Sequence, residues 1–237
     1  MTSNYDTIRM NYKCKKGQKN PDTNECLDNK TVRKDEYSDK ILKTSNVIDL
    51  VGPIYYKNDH HNIQKFRNTV SKDDIGIVSE YVGKGEPEIN SYLRNTKIFS
   101  VKKIDKMENH KKVLDGLVSK YTLSEDKTLF RGANHPKLYE LNAGDVIVDP
   151  AFQSTTENIN WTEFFINQPD NNSETFNVSN PVLFVIRAKK GQNAAPLSAI
   201  KSPHQGEFLL PRETPIRIDK VMTKGKLKIM EASIIKG

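Results

Sequence analysis

Apolar residues follow two rhythms along this chain, and the change comes at Tyr121. Before it they recur at helical spacing. Ser71 to Val82 opens on a serine suited to cap a helix, and Asp73 and Asp74 stand in its first turn. Ile75, Val78, Tyr81 and Val82 fall on one face. G-K-G-E-P (83–87) is expected to break that helix, with Pro87 in the first turn of a second one, E-I-N-S-Y-L-R-N, whose Ile89, Tyr92 and Leu93 share a side. A third helix is expected over Ile104 to Tyr121. It carries Met107, Val113, Leu114, Leu117 and Val118 as an uneven stripe, and its lysines as a solvated face.

After Tyr121 the runs become short and are bounded by Gly, Pro and Asn. T-L-F-R-G, D-V-I-V, A-F-Q-S-T-T, P-V-L-F-V-I-R-A, G-E-F-L-L, P-I-R-I-D-K-V and K-L-K-I-M-E-A-S-I-I all read as strands. Helices first and strands afterwards predict an α+β domain with a segregated, mostly antiparallel sheet system. The polar stretch Asn167 to Asn180 reads as a loop between strands.

The start of the chain differs from both. Residues 1–45 mix charges densely with few apolar side chains and read as a polar arm, leaving 46–237 as the folded domain. The run V-I-D-L-V-G-P-I-Y-Y ends at K-N-D-H-H, where His60 and His61 read as a solvated loop pair rather than metal ligands. Cys14 and Cys26 bracket a loop containing Gly17 and the turn-forming Asn20-Pro21-Asp22, so both a disulfide and two thiols stay open. A structural zinc site wants about four ligands, and no further Cys or His pair stands nearby. The stretch C-x-x-G-x-x-x-N-P-x-T-x-x-C resembles a short element that recurs in proteins of large DNA viruses; it assigns no function.

Charge alters this picture only modestly. Across 237 residues, 37 Lys and Arg oppose 30 Asp and Glu for a net +7, and mean hydropathy is −0.68. That suits a lysine-rich surface and is compatible with acidic or nucleic-acid partners. No apolar run approaches the roughly 20 residues of a membrane span. The start M-T-S-N-Y-D-T-I-R-M lacks the apolar core of a signal peptide, so a soluble protein without an ordinary secretion address is expected.

Three strand-borne clusters carry candidate chemistry: L-F-R-G with Arg131, D-P-A-F-Q-S-T-T with Ser154, Thr155 and Thr156, and H-Q-G-E-F-L-L-P-R with Gln205 and Glu207. Two residues apart on an extended strand, Gln205 and Glu207 would point the same way. No Gly-rich dinucleotide fingerprint is present, which argues against a Rossmann oxidoreductase.

In this order the clusters resemble the arginine–serine–glutamate class of mono-ADP-ribosyltransferases, most closely the clostridial Rho-modifying exoenzymes and the catalytic domains of actin-modifying binary toxins. Upstream, Y-V-G-K-G-E-P-E-I-N-S-Y-L-R resembles the family's helical Tyr…Ile-Asn-x-x-Leu-Arg segment. The match runs from about Ser71 to the C-terminus. It implies the ADP-ribosyltransferase fold, with N-terminal helices packed on a two-sheet antiparallel β core, and makes 46–237 a catalytic domain. It also implies NAD as substrate, no metal, and action in the cytosol of a host or target cell.

By resemblance, Glu207 stabilises the oxocarbenium-like ribose as the nicotinamide bond breaks, Ser154 hydrogen-bonds and aims that glutamate, and Arg131 takes the dinucleotide's phosphates. Asn90 and Arg94 face the dinucleotide as well, and Gly132 and Thr155 complete the NAD-binding set. The sequence departs from the family in three places. Thr156 stands where Ser is usual. The segment E-N-I-N-W-T-E-F-F supplies Trp161, Phe164 and Phe165 but no Arg. Pro203 and His204 occupy the loop where several relatives carry a target-touching aromatic.

Gln205 bears on the acceptor. An amide cannot serve as a base at ordinary pH, but it can donate to and accept from an amide, a hydroxyl or a nucleobase edge. Relatives with Gln-x-Glu modify asparagine, threonine or glutamine side chains, or guanine in nucleic acid. The expected acceptor is therefore not arginine and is first a protein side chain. A nucleic-acid acceptor and an NAD glycohydrolase, with water as acceptor, are the alternatives.

Overall fold

The computed structural model describes residues 60–166 and 180–235. The arm, its cysteines, the boundary near residue 45 and positions 167–179 of the expected loop lie outside the described residues.

Among the described residues, three helices precede the one that leads into the sheet. α1 (His60–Asn68) starts at the histidine pair, where a loop was expected; its Phe66 is buried edge-on against Tyr121, ring centroids 5.4 Å apart. α2 (Lys72–Glu80) begins as its sequence predicts, with the Ser71 hydroxyl accepting the Asp74 N–H at 3.1 Å and Asp73 and Asp74 in the first turn. Ile75 departs from the expected face: it is exposed.

The expected break at G-K-G-E-P does not occur. Tyr81–Gly85 form a π-helical turn in which the Glu86 N–H reaches back five residues to the Tyr81 carbonyl, and α3 (Glu86–Leu93) continues directly with Pro87 in its first turn. One extra residue per turn absorbs the two glycines without ending the helix. It also shifts α3 out of the register that a pure α-helix continuing α2 would give.

α4 (Val101–Lys120) starts three residues before its expected boundary and buries Met107, His110, Leu114, Leu117 and Val118. Its outer face is lysine-rich, as expected, and is partly paired: Lys103 with Glu88, Lys106 with Glu80, and Lys111 with Glu108. Such exposed pairs stabilise by about 0–1 kcal/mol each.

Among the described residues, the strands are β1 (Lys127–Asn134), β2 (Val146–Val148), β3 (Gln153–Thr156), β4 (Pro181–Ala188), β5 (Glu207–Leu210), β6 (Pro215–Lys224) and β7 (Leu227–Ile234). All seven fall on runs read as strands. They form one mixed sheet in the order β2-β6-β7-β4-β1-β3-β5, with β4 and β7 parallel and every other pair antiparallel. This corrects the two-sheet antiparallel expectation. β1 uses both edges: Phe130 pairs with Val185 of β4 and with Thr156 of β3, which joins β3 and β5 to the rest of the sheet.

Two apolar clusters cover the two faces. The larger joins the helices to one face through Tyr81, Ile89, Leu114, Leu129, Phe152 and Phe208. The smaller lies on the other face, where Phe130, Leu183 and Val185 meet Ile159 and Ile166. α6 (Asn160–Ile166), together with the one-turn α5 (Pro136–Tyr139), does not follow from the sequence pattern. α6 approaches β1 so closely that a Cβ on Gly132 would lie 2.6 Å from the Thr162 carbonyl oxygen. No described helix is long and apolar enough to cross a membrane.

Candidate functional site

The topology makes β1, β3 and β5 neighbours at one end of the sheet, and these strands carry Arg131, Ser154 and Glu207. Segments 23 and 53 residues apart in sequence thus become adjacent rows of one ladder.

Arg131 faces the helical side of β1. Its Nη1 donates to the Ser154 carbonyl at 2.8 Å, which ties β1 to β3 through a side chain. Burial lowers the proton affinity of its guanidinium; the charges of Glu86 and Asp149 oppose that effect, while Arg94 adds to it. A guanidinium in such a setting stays charged, and its field extends farther than it would in water.

The Ser154 hydroxyl meets the Tyr81 hydroxyl at 3.1 Å. Tyr81 is fully buried and stands edge-on to Phe152, centroids 6.3 Å apart at 81°. That bond links β3 to the π turn. Thr155 donates to the Phe208 carbonyl at 2.7 Å, joining β3 to β5. Thr156 keeps the hydroxyl chemistry of the serine usual there: it donates to the Gln205 carbonyl at 2.6 Å and accepts the Asn158 N–H at 2.8 Å.

Glu207 is the first residue of β5, directly opposite Thr156, and is buried at 3% exposure. Gln205 is not on that strand. It ends a short 3-10 turn (Pro203–Gln205), and Gly206 follows in the left-handed region at φ 58°, ψ 31°. The strand alternation that would align Gln205 with Glu207 therefore does not apply, because a left-handed residue between them turns the chain. A Cβ on Gly206 would also stand 3.0 Å from Glu157 Cγ. Glu157 in turn pairs with the buried Lys127 Nζ at 3.2 Å.

The helical layer contributes two of the expected residues. Asn90 on α3 is 4% exposed, and its Oδ1 finds no hydrogen-bond donor among the described residues. Arg94, just after α3, turns its fork to Asp149: Nε–Oδ1 is 2.9 Å and Nη2–Oδ2 is 2.7 Å, both side chains almost fully buried. Gly132 points to the face opposite Arg131, against α6, where it serves close packing.

Glu86 and Asp149 stand inside the quoted motifs without being given a role there, and Tyr81 enters only as the tyrosine of the helical segment and as a core position. Their surroundings in space mark them: Ser154 for Tyr81, Arg94 for Asp149, and the Arg131 guanidinium for Glu86.

The sequence pattern of the ADP-ribosyltransferase exoenzyme family matches residues 57–236. Among solved structures, the toxin Plx2a from Paenibacillus larvae is 23% identical over 74% of this chain and 92% of its own, with a TM-score of 0.56. Vis toxin from Vibrio splendidus is 17% identical over 79% of this chain and 90% of its own, TM-score 0.60. An ADP-ribosyltransferase from Clostridium botulinum is 16% identical over 78% of this chain and all of its own, TM-score 0.55. These likenesses speak for the fold, and all three proteins are bacterial. No curated protein matches the chain.

Proposed function

Because the chain belongs to the ADP-ribosyltransferase exoenzyme family, whose members use NAD as substrate, we propose that it transfers ADP-ribose to a non-arginine acceptor with Glu207 as the decisive carboxylate. The observation that carries this reading is the adjacency of β1, β3 and β5, which brings the strands of Arg131, Ser154 and Glu207 side by side.

In the reaction the bond between nicotinamide nitrogen and ribose C1′ breaks, and its electron pair leaves with nicotinamide. The positive charge that develops on the ribose is what a buried carboxylate stabilises best, since water does not screen it. A nucleophilic atom of the acceptor then bonds to C1′ and loses its proton. Arg131 supplies a planar fork for the diphosphate. Asn90, with a buried carbonyl oxygen lacking a donor among the described residues, suits a hydroxyl or amide of the dinucleotide. Thr155 and Thr156 tie β5 and Gln205 to β3.

The acceptor is a protein side chain, Asn, Gln or Thr, met in the cytosol of a target cell. Gln205 supports this by its chemistry: its amide can pair with such a group but cannot deprotonate a guanidinium. Incubation of the full chain with labelled NAD and a cell lysate tests the reading. Label should enter protein, and Glu207→Gln should lower transfer by roughly two to three powers of ten. Label released by nuclease would point to nucleic acid, and nicotinamide release without labelled macromolecule would point to water. A wild-type chain that neither transfers nor cleaves sinks the proposal.

A further inference from the structure

Arg94 stands where the family motif expects a dinucleotide ligand, yet its Nε and Nη2 both close on one carboxylate. They hold the two oxygens of Asp149 at 2.9 and 2.7 Å, with side chains only 2% and 4% exposed. Asp149 is further engaged. Its Oδ1 accepts the Ala151 N–H at 3.0 Å, and its backbone carbonyl accepts the Glu213 N–H at 2.8 Å.

These bonds gather three segments at one residue. Arg94 closes α3, one helical turn after Asn90. Asp149-Pro150-Ala151-Phe152 leads into β3 and Ser154. Glu213 belongs to the turn that follows β5, and its neighbour Arg212 forks onto Asp115 of α4 at 2.9–3.0 Å while lying over the Phe152 ring at 5.8 Å. Asp149 also lines one pocket with Arg131 and Gln153.

We propose that Asp149 is a positioning residue for the ADP-ribosyl transfer proposed above, and that Arg94 is its fixed partner rather than a ligand of the NAD diphosphate. Freeing Arg94 to reach a phosphate would leave a buried carboxylate unpaired, which is strongly unfavourable. Held as it is, the pair fixes the approach of the helical layer, which carries Asn90 and Tyr81, to the strands that carry Ser154 and Glu207. A phosphate ligand is felt mainly in binding. A positioning pair is felt in the chemical step, because small misplacements of reacting groups slow it steeply.

The test measures kcat and KM for nicotinamide release from NAD by the full chain and by Arg94→Lys, Asp149→Asn and the double variant, with Arg131→Lys as the ligand comparison. Lysine keeps the charge of Arg94 but cannot reproduce the fork. Arg94→Lys and Asp149→Asn should each lower kcat by roughly ten- to a hundred-fold while KM moves by less than about three-fold. The double variant should be no worse than the poorer single one, since the residues act as a unit. Arg131→Lys should act chiefly on KM. A KM raised about ten-fold or more by Arg94→Lys, with kcat preserved, makes Arg94 a ligand and overturns the proposal; so does a pair of variants with wild-type kinetics. Should Asp149→Asn fail to fold, the kcat-to-KM split in Arg94→Lys decides alone. A wild-type chain that releases no nicotinamide refutes the transferase reading itself and the inference with it.

Discussion

The Tyr81 hydroxyl lies 3.1 Å from the Ser154 hydroxyl, joining a π-helical turn to the central strand of the candidate site across 73 residues of sequence. Tyr81 is fully buried and edge-on to Phe152, so packing holds its ring independently of the hydroxyl bond. Tyr81→Phe keeps the ring and removes the bond. Stability should fall by about 1 kcal/mol in denaturant titration, and kcat for nicotinamide release by roughly ten-fold or more. Unchanged kcat in a well-folded Tyr81→Phe protein would remove Ser154 positioning from the mechanism.

Gly132 admits no side chain. An added Cβ would sit 2.6 Å from the Thr162 carbonyl oxygen and 3.0 Å from Ile166 Cγ1, so α6 must move away from β1. Gly132→Ala should therefore destabilise by about 1–3 kcal/mol, the usual range for overpacking a tight interface. Thermal unfolding checks this, and a Tm equal to wild type would show that α6 yields freely.

Two left-handed residues in the loop before β5 should respond in opposite directions. Gly206, at φ 58°, also faces Glu157, and Gly206→Ala should destabilise by about 1–2 kcal/mol. Ser202, at φ 56° and directly before a proline, holds a conformation that costs a side-chain-bearing residue energy. Relief of that strain in Ser202→Gly outweighs the entropy of an added glycine, for a net gain of roughly 0.5 kcal/mol. Equilibrium unfolding of both variants is the measurement, and equal signs would contradict the backbone argument.

Acid should weaken the helical layer through His110. This side chain is 4% exposed on α4, with Nε2 3.6 Å from Glu80 Oε2. Burial holds its imidazole below the ordinary value of 6.5; Glu80 and Glu88 pull upward and Lys106 pushes down. In the unfolded chain His110 protonates near 6.5, while in the folded one it protonates only at lower pH. Between those values the unfolded state binds more protons, so stability rises with pH there. The contribution is full above the unfolded value and is lost as pH falls through the folded one. Tm should drop between about pH 7 and pH 5 more steeply in wild type than in His110→Gln; parallel curves would exclude this histidine.

Much of the fold is legible in the residues because it is written in local spacing. All seven strands, the Ser71 cap and the long α4 follow from apolar periodicity and turn residues, which act over a few neighbours. α6 escapes such reading because Trp161, Phe165 and Ile166 belong to a segment of seven residues, too short for a helical stripe to stand out. It is a helix because it covers Phe130 and Gly132 on a sheet face that forms only after distant strands pair. G-K-G-E-P misleads for a related reason: two glycines and a proline usually end a helix, but a π turn packed against β3 tolerates them.

The sequence by itself determined which chemistry is available: an Arg, a hydroxyl cluster and a Gln-Gly-Glu, each on or beside a strand, in an order that marks the family. Tertiary structure decided how those groups are held. It placed β1, β3 and β5 side by side in one mixed sheet, gave Ser154 to Tyr81 and Arg94 to Asp149, and separated Gln205 from Glu207 by a left-handed glycine. Residue types and short spacings are local properties, whereas hydrogen-bond partners and the direction of a side chain depend on which segments meet when the core closes.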